Sequence, residues 1–319
     1  GFIPRFLFKL VNLIYIIKKR KNVKCLEYYN ISLFKKVIIE WSKNMTIAIT
    51  MKVNDGIVLA TDSASTMIAQ DNTGQIGVIN IYNNANKLIN IHGKIPVGVI
   101  TWGAGSIGLQ STSSVIKDFR KDLNNGIVSI DFEEYTLEEI SGKFKDYVFN
   151  KYMNEFNSWQ TKPDIGFVIA GYSSNSNVPE EWLFEINNGQ CNGPLKLREK
   201  EDRGINWYGQ PEAITRILNG FSGQVPNVLV NEGIVRPEDI RNVMFKVMES
   251  SSANLISPAM PIQDAIDLAE FLVDLTEKYV RFAPGSKTVG GPIEIASITL
   301  HEGFKWIKRK HYYNRELNL

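Results

Sequence analysis

Cysteine is scarce: Cys25 and Cys191 are the two in 319 residues, and only Cys191 lies beyond residue 44. That excludes a disulfide framework in the larger part of the chain and leads us to expect a reducing, cytoplasmic compartment. Histidine is scarcer for its chemistry, since His92, His301 and His311 lack metal-ligand spacing. No metal or other cofactor is expected. Long apolar runs are missing as well. The stretch Leu10–Ile17 is eight residues, against roughly 20 for a membrane span. Its basic cluster, Lys18–Lys21, follows the apolar stretch, whereas a signal peptide carries its charge in front. We therefore expect no membrane association. The near-neutral charge gives no argument for a nucleic-acid partner.

Methionine is absent from the first 44 residues and then appears as Met45, directly before Thr46. Acidic residues are rare over the same stretch: Glu27 and Glu40 stand against ten Lys and Arg. The rest of the chain holds 26 basic and 32 acidic residues, so the total of +2 averages two unlike pieces. Trp has the single codon TGG. With Ser42 read from AGT or AGC, the DNA under Trp41–Ser42 contains GGAG at ribosome-binding-site spacing from the ATG of Met45. Residues 1–44 are therefore expected to be translated upstream DNA or a propeptide outside the fold. Residues 45–307 are expected to form the domain, and 308–319 a basic C-terminal tail.

What is present from Met45 onward is strand and helix periodicity in alternating blocks. "TIAITMKV" and "GIVLATDS" flank "NDG", a hairpin signal, and "KLINI" pairs with "PVGVITW". Helices are expected at about 106–123, 136–156, 211–220, 237–250 and 261–280. Between and after them, "IGFVIAGYS", "EWLFEIN", "IEIASIT" and "FKWIK" read as strands. Their nearly continuous apolar runs call for cover on both faces. We expect an α/β (α+β) domain of two antiparallel sheets with helices outside.

Thr46 and Asp62 are sixteen residues apart. A three-residue loop Asn54-Asp55-Gly56, with Gly56 left-handed, would set both side chains on one face. A threonine hydroxyl needs a base, because it is a weak nucleophile until something takes its proton. A free α-amine on Thr46, a Lys87 cation to keep it neutral and Asp62 to hold that lysine would complete a nucleophile system. Each residue also has an ordinary reading. Thr46 can be a strand residue, Asp62 a turn cap with Ser63, Lys87 a solvated edge lysine and Gly103 a turn glycine.

"TIAITMKVNDGIVLATDSAST", then "NKLINI" and "VGVITWGAGS", resembles the opening of proteasome β-type subunits, of the N-terminal nucleophile hydrolase class. The bacterial heat-shock-locus protease and Anbu have the same layout. The likeness is strong over Met45–Ser114 and looser beyond. It implies a four-layer αββα sandwich and a threonine endopeptidase with Thr46 as nucleophile. Asp62 and Lys87 would be its charged partners, and the Gly103 N–H its oxyanion donor. It further implies a peptide or unfolded-protein substrate, self-assembly into a homo-oligomeric ring or stack, and room for an ATP-dependent unfoldase.

The chain departs from the family pattern at two places. Tyr208 in "WYGQ" stands where the family has a serine, and "APGSKTVGGPIEIA" lacks the family's Asp and Ser before the glycine pair. Two rival readings follow. One is an inactive proteasome-like ring scaffold. The other is a nicotinamide-dinucleotide oxidoreductase, since "GAGSIG", Gly103–Gly108, matches G-x-G-x-x-G. That fingerprint lacks its acidic partner, because Asp122 falls in a helix end rather than at the end of a parallel strand.

Overall fold

The computed structural model describes residues 46–70 and 76–317; the expectations for residues 1–44 lie outside the described residues. Strand β1 (Ile47–Val53) turns into β2 (Gly56–Thr61), and every residue of both is buried. Val53 pairs with Gly56, so the turn is the two residues Asn54 and Asp55 rather than a three-residue loop. Gly56 belongs to the strand. It is small for a different reason than expected: a Cβ there would collide with the carbonyl oxygen of Ile298.

Chain order continues with β3 (Ser65–Gln70) and β4 (Ile76–Tyr82), a separate hairpin absent from the sequence reading. Then come β5 (Leu88–Asn90), β6 (Val97–Gly103) and the short pair β7 (Ser106–Ile107) and β8 (Gln110–Ser111). Helices α1 (Thr112–Asn124) and α2 (Leu137–Phe156) follow. Helix α1 starts later than the periodicity suggests, because the Ser111 hydroxyl caps it by accepting from Ser114 N–H at 3.2 Å. Thr136 caps α2 in the same way, at 3.1 Å from Glu139 N–H. Glu138 and Glu139 in the first turn of α2 suit the positive end of its dipole.

After α2 come β9 (Ile165–Gly171), β10 (Glu180–Asn187), β11 (Gln190–Lys196) and β12 (Gly204–Gly209). Helices α3 (Glu212–Asn219), α4 (Val225–Asn231), α5 (Ile240–Ser251) and α6 (Ile262–Phe282) lead to β13 (Glu294–Thr299) and β14 (Gly303–Lys308). The strands form two five-stranded sheets, ordered β12-β1-β2-β13-β14 and β11-β10-β9-β6-β5. All their pairings are antiparallel.

Three apolar clusters account for the unbroken hydrophobic runs. Ala48, Leu59 and Ile298 of the first sheet share one cluster with Leu88, Ile100 and Val168 of the second. The opposite side of the second sheet packs Val99, Phe167 and Phe184 with Phe119 of α1 and Phe144 of α2. The opposite side of the first sheet packs Ile49 and Ala60 with Ile214 of α3 and Leu272 of α6. In the second of these, Phe144 meets Phe119, Phe167 and Phe184 edge-on at 5.0 to 5.7 Å between ring centroids. Truncating such a residue to alanine costs about 3–5 kcal/mol.

One polar tie crosses between the sheets. Glu181 of β10 accepts from Thr50 of β1 at 2.5 Å and from Arg198 at 2.8 Å. Arg198 also donates to Asn206 of β12 at 3.0 Å. Among the described residues no helix is long and apolar enough to cross a membrane.

Candidate active site

The end of β2 delivers Asp62 to a fully buried position beside the start of β1. Among the described residues its carboxylate receives five donors. Oδ1 accepts from the Thr46 hydroxyl at 2.7 Å, from Lys87 Nζ at 2.6 Å and from Ile47 N–H at 3.1 Å. Oδ2 accepts from Ala64 N–H at 3.0 Å and Gly290 N–H at 3.1 Å. Charge-assisted bonds of this kind are the strong ones, and so many at once lock one rotamer. Asp62 is thus a hub, well beyond a cap for its own turn.

The two-residue turn makes Ile47, not Thr46, the register partner of Asp62, by extension of the pairing of Ala48 with Thr61. Thr46 and Asp62 meet because both lie just outside the regular strands, where the pleat no longer dictates the face. The Thr46 carbonyl is held from the other side by Gln210 N–H at 2.7 Å. Gly209, φ +91°, leaves room for that approach: a Cβ there would collide with the Thr46 carbonyl oxygen.

Lys87 immediately precedes β5 and is 7% exposed, so it is no solvated edge lysine. Burial lowers its pKa from the ordinary lysine range; Asp62 opposes that shift and Lys310 adds to it. Asp62 Oδ1 is the atom that Thr46 and Lys87 share. Gly103 ends β6 opposite Ile165, with φ +89° and no room for a Cβ against the Asp164 carbonyl. It lines a cleft of about 380 Å³ together with Lys87, Thr101, Ser65 and Thr112. Thr46, Asp62 and Lys87 are therefore bonded together, and Gly103 shares a cleft wall with Lys87.

Both departures from the family pattern now have a place. Tyr208 faces Ala48 across the first sheet and stacks on Trp102, with ring centroids 4.1 Å apart and planes 11° apart. It packs in the cluster shared by the two sheets, and burial raises its phenol pKa above the usual range. The segment before β13 serves Asp62 through its backbone. Gly290 N–H reaches Asp62, Gly290 C=O accepts from Ser63 N–H at 2.9 Å, and the Ser63 hydroxyl donates to Pro292 C=O at 2.5 Å.

Sequence reasoning missed Gly290, Gln210 and Lys310. The glycine pair Gly290-Gly291 was a visible signal: a Cβ on Gly291, φ +80°, would collide with the Asn83 carbonyl. Lys310 belongs to the segment expected as a tail, and it packs back against Ser63, Ala85 and Glu294. The dinucleotide fingerprint loses its context. Strand β6 runs antiparallel to both neighbours, β5 and β9, and the pair β7–β8 separates it from α1. A βαβ unit requires a parallel pair. Among the described residues no group of three His, Cys, Asp or Glu is placed to hold a metal ion.

No protein-family profile matches the chain, and no curated protein does so significantly. Among solved structures it is similar to Anbu (ancestral beta-subunit) from Yersinia bercovieri, at 13% identity and a TM-score of 0.47, covering 84% of this chain and 89% of that one. It is also similar to the Gly-1 mutant of Anbu from Hyphomicrobium sp. strain MC1, at 17% identity and a TM-score of 0.45, covering 85% and 91%. Likenesses at this level carry no argument about chemistry or assembly, which rest on the residues of the chain itself.

Proposed function

We propose that this chain is a threonine endopeptidase of the N-terminal nucleophile type, built as a four-layer αββα sandwich. The observation that carries the reading is the buried Asp62 oxygen shared by the Thr46 hydroxyl and the Lys87 ammonium. An ordinary strand threonine has no need of a buried ion pair at its hydroxyl. Burying charges costs several kcal/mol, and such a pair is weak evidence for a stabilising role.

The mechanism needs a free amine on Thr46, which the peptide bond from Met45 blocks. Once that bond is cleaved, the amine takes the hydroxyl proton as Oγ1 attacks the peptide carbonyl. The Gly103 N–H faces the oxyanion, a donor worth about 2.7–4 kcal/mol in other enzymes. The amine then passes its proton to the leaving nitrogen, and an ester joins substrate to Thr46. Water, deprotonated by the same amine, hydrolyses the ester and restores the hydroxyl. Lys87 keeps the amine neutral: an α-amine titrates near 7.7–8.0, and a neighbouring cation moves that value down. Asp62 positions Lys87 and orients the hydroxyl.

In this reading the substrates are peptides or unfolded proteins, subunits assemble into a ring or stack, and an ATP-dependent unfoldase feeds it. The test is intact mass of protein beginning at Thr46, with and without an electrophilic threonine-directed inhibitor, beside peptide hydrolysis. A single adduct on Thr46 and turnover of peptide are expected. Absence of both would leave the inactive ring scaffold as the better reading.

A further inference from the structure

Two residues beyond β14, the chain turns back and places Lys310 Nζ among three acceptors. It donates to the Ser63 hydroxyl and to the Ala85 carbonyl, each at 2.6 Å, and forms an ion pair with Glu294 Oε2 at 2.9 Å. An ammonium has three donors and no acceptor; two of them are hydrogen-bonded to Ser63 and Ala85, while Glu294 Oε2 meets the charge as an ion pair, with no hydrogen bond to it among the described residues. The acceptors belong to three separate segments. Ser63 follows Asp62, Ala85 stands two residues before Lys87, and Glu294 opens β13 opposite Thr61. These segments also bond to one another, since Ser63 C=O accepts from Ala85 N–H at 2.9 Å. Lys310 therefore sits at the joint that sets where Asp62 and Lys87 leave their strands. Its side chain is 12% exposed and that of Glu294 is 2% exposed, so the pair is not a surface contact.

We propose that Lys310 is a positioning residue for the Asp62–Lys87 pair, clamping the three segments and setting the electrostatics at Lys87. The inference deepens the peptidase reading and rests on it for its catalytic meaning. The geometry makes the sign of the coupling definite. The charged groups acting on Lys87 are Asp62 and Glu294, which favour its protonation, and Lys310, which opposes it. Glu277 of α6 feels the same Asp62 carboxylate. Lys310 itself is shifted down by burial, and Glu294 and Asp62 pull it back.

The experiment uses the full 319-residue chain with carbon-13-labelled lysine and follows the Lys87 side-chain resonance, assigned with Lys87→Arg, as pH is raised. Lys310→Met should raise the Lys87 midpoint, since it removes a like charge. Lys310→Arg keeps the charge and should leave the midpoint near wild type. Glu294→Gln should move it the opposite way, downward, and still reads the coupling where Lys310→Met does not fold. A merely structural lysine would lower the melting temperature and leave the midpoint unmoved. An unmoved midpoint in Lys310→Met, or in Glu294→Gln where the former does not fold, overturns the proposal.

This titration needs no turnover, so an inactive enzyme would refute the peptidase reading without touching the coupling. In enzyme beginning at Thr46 that hydrolyses peptide, Lys310→Met should reduce kcat with KM little changed. A kcat unchanged from wild type would likewise overturn the proposal.

Discussion

Two buried carboxylates of this protein, Glu181 on a strand of one sheet and Asp62 just past a strand of the other, meet opposite circumstances. Glu181 is enclosed between the two sheets, and its charge is met by Arg198 and the Thr50 hydroxyl. Asp62 is equally buried, but its partner Lys87 lines an open cleft, and its other side-chain donor is a threonine hydroxyl at the head of a strand. Both pairs carry the desolvation cost of charge in a protein interior. Glu181 ties β10 to β1 and β12, which accounts for its arrangement. Asp62 receives three backbone N–H groups besides its two side chains, far more than holding one lysine demands. Burial and ion pairing alone do not separate a structural carboxylate from a chemical one. Access to a cleft and a threonine hydroxyl on the shared oxygen are what mark Asp62 for the proposed chemistry.

Substitutions can break the contrast at either end. The largest effect is expected from Thr46→Ala, which should lower peptide hydrolysis by at least about 10⁴-fold, as losing a nucleophile does elsewhere. Its melting curve should stay close to wild type, because the hydroxyl is one of five donors to Asp62. A variant that keeps wild-type turnover would erase the distinction between the two carboxylates.

Lys87→Ala should reduce kcat by about 10²–10⁴-fold and move the acid limb of the pH–rate profile up toward the ordinary amine range. It should also change stability with pH in a defined sense. The folded-state pKa of Lys87 lies below its unfolded value. Between the two, the unfolded chain binds more protons, so wild-type stability rises with pH toward about 10.4. Denaturant titrations at several pH values should show that rise flattened in the variant.

Glu181→Gln sharpens the comparison from the structural side. Leaving Arg198 without its counter-charge should cost about 3–5 kcal/mol of unfolding free energy, read by denaturant titration. Turnover per folded molecule should remain at the wild-type value. The smallest effect is expected from Tyr208→Phe. The stack on Trp102 persists, so stability should change by less than about 1.5 kcal/mol with activity unaltered. A large loss of rate in this variant would mean that the tyrosine hydroxyl takes part in the reaction.

Much of this was legible along the chain. The hairpin β1–β2 announced itself through "NDG" between alternating apolar runs, and Thr46, Asp62 and Lys87 lie within 42 residues of one another. Local periodicity and turn chemistry act over such distances. Even there, the turn proved to be two residues rather than three. Gly56 answers to the carbonyl of Ile298, a residue on a strand formed far later in the sequence. The pair β3–β4 and the strands β11 and β12 went unseen because their residues lack the unbroken apolar run that marks a strand covered on both faces.

By itself, then, the sequence determined much of the alternation of strands and helices, the β1–β2 hairpin and the short spacing that holds Thr46, Asp62 and Lys87 within reach of one another, because these follow from side-chain period and turn chemistry. Tertiary structure alone decided what completes the site. Gly290 reaches Asp62 across 228 residues and Lys310 reaches Ser63 across 247, each from a segment that reads locally as a loop or a tail. No periodicity encodes a backbone N–H aimed at a carboxylate, or a lysine turned inward after the last strand. Such contacts exist only once the sheets have brought distant strand ends to one place, where a buried charge must find every donor within reach.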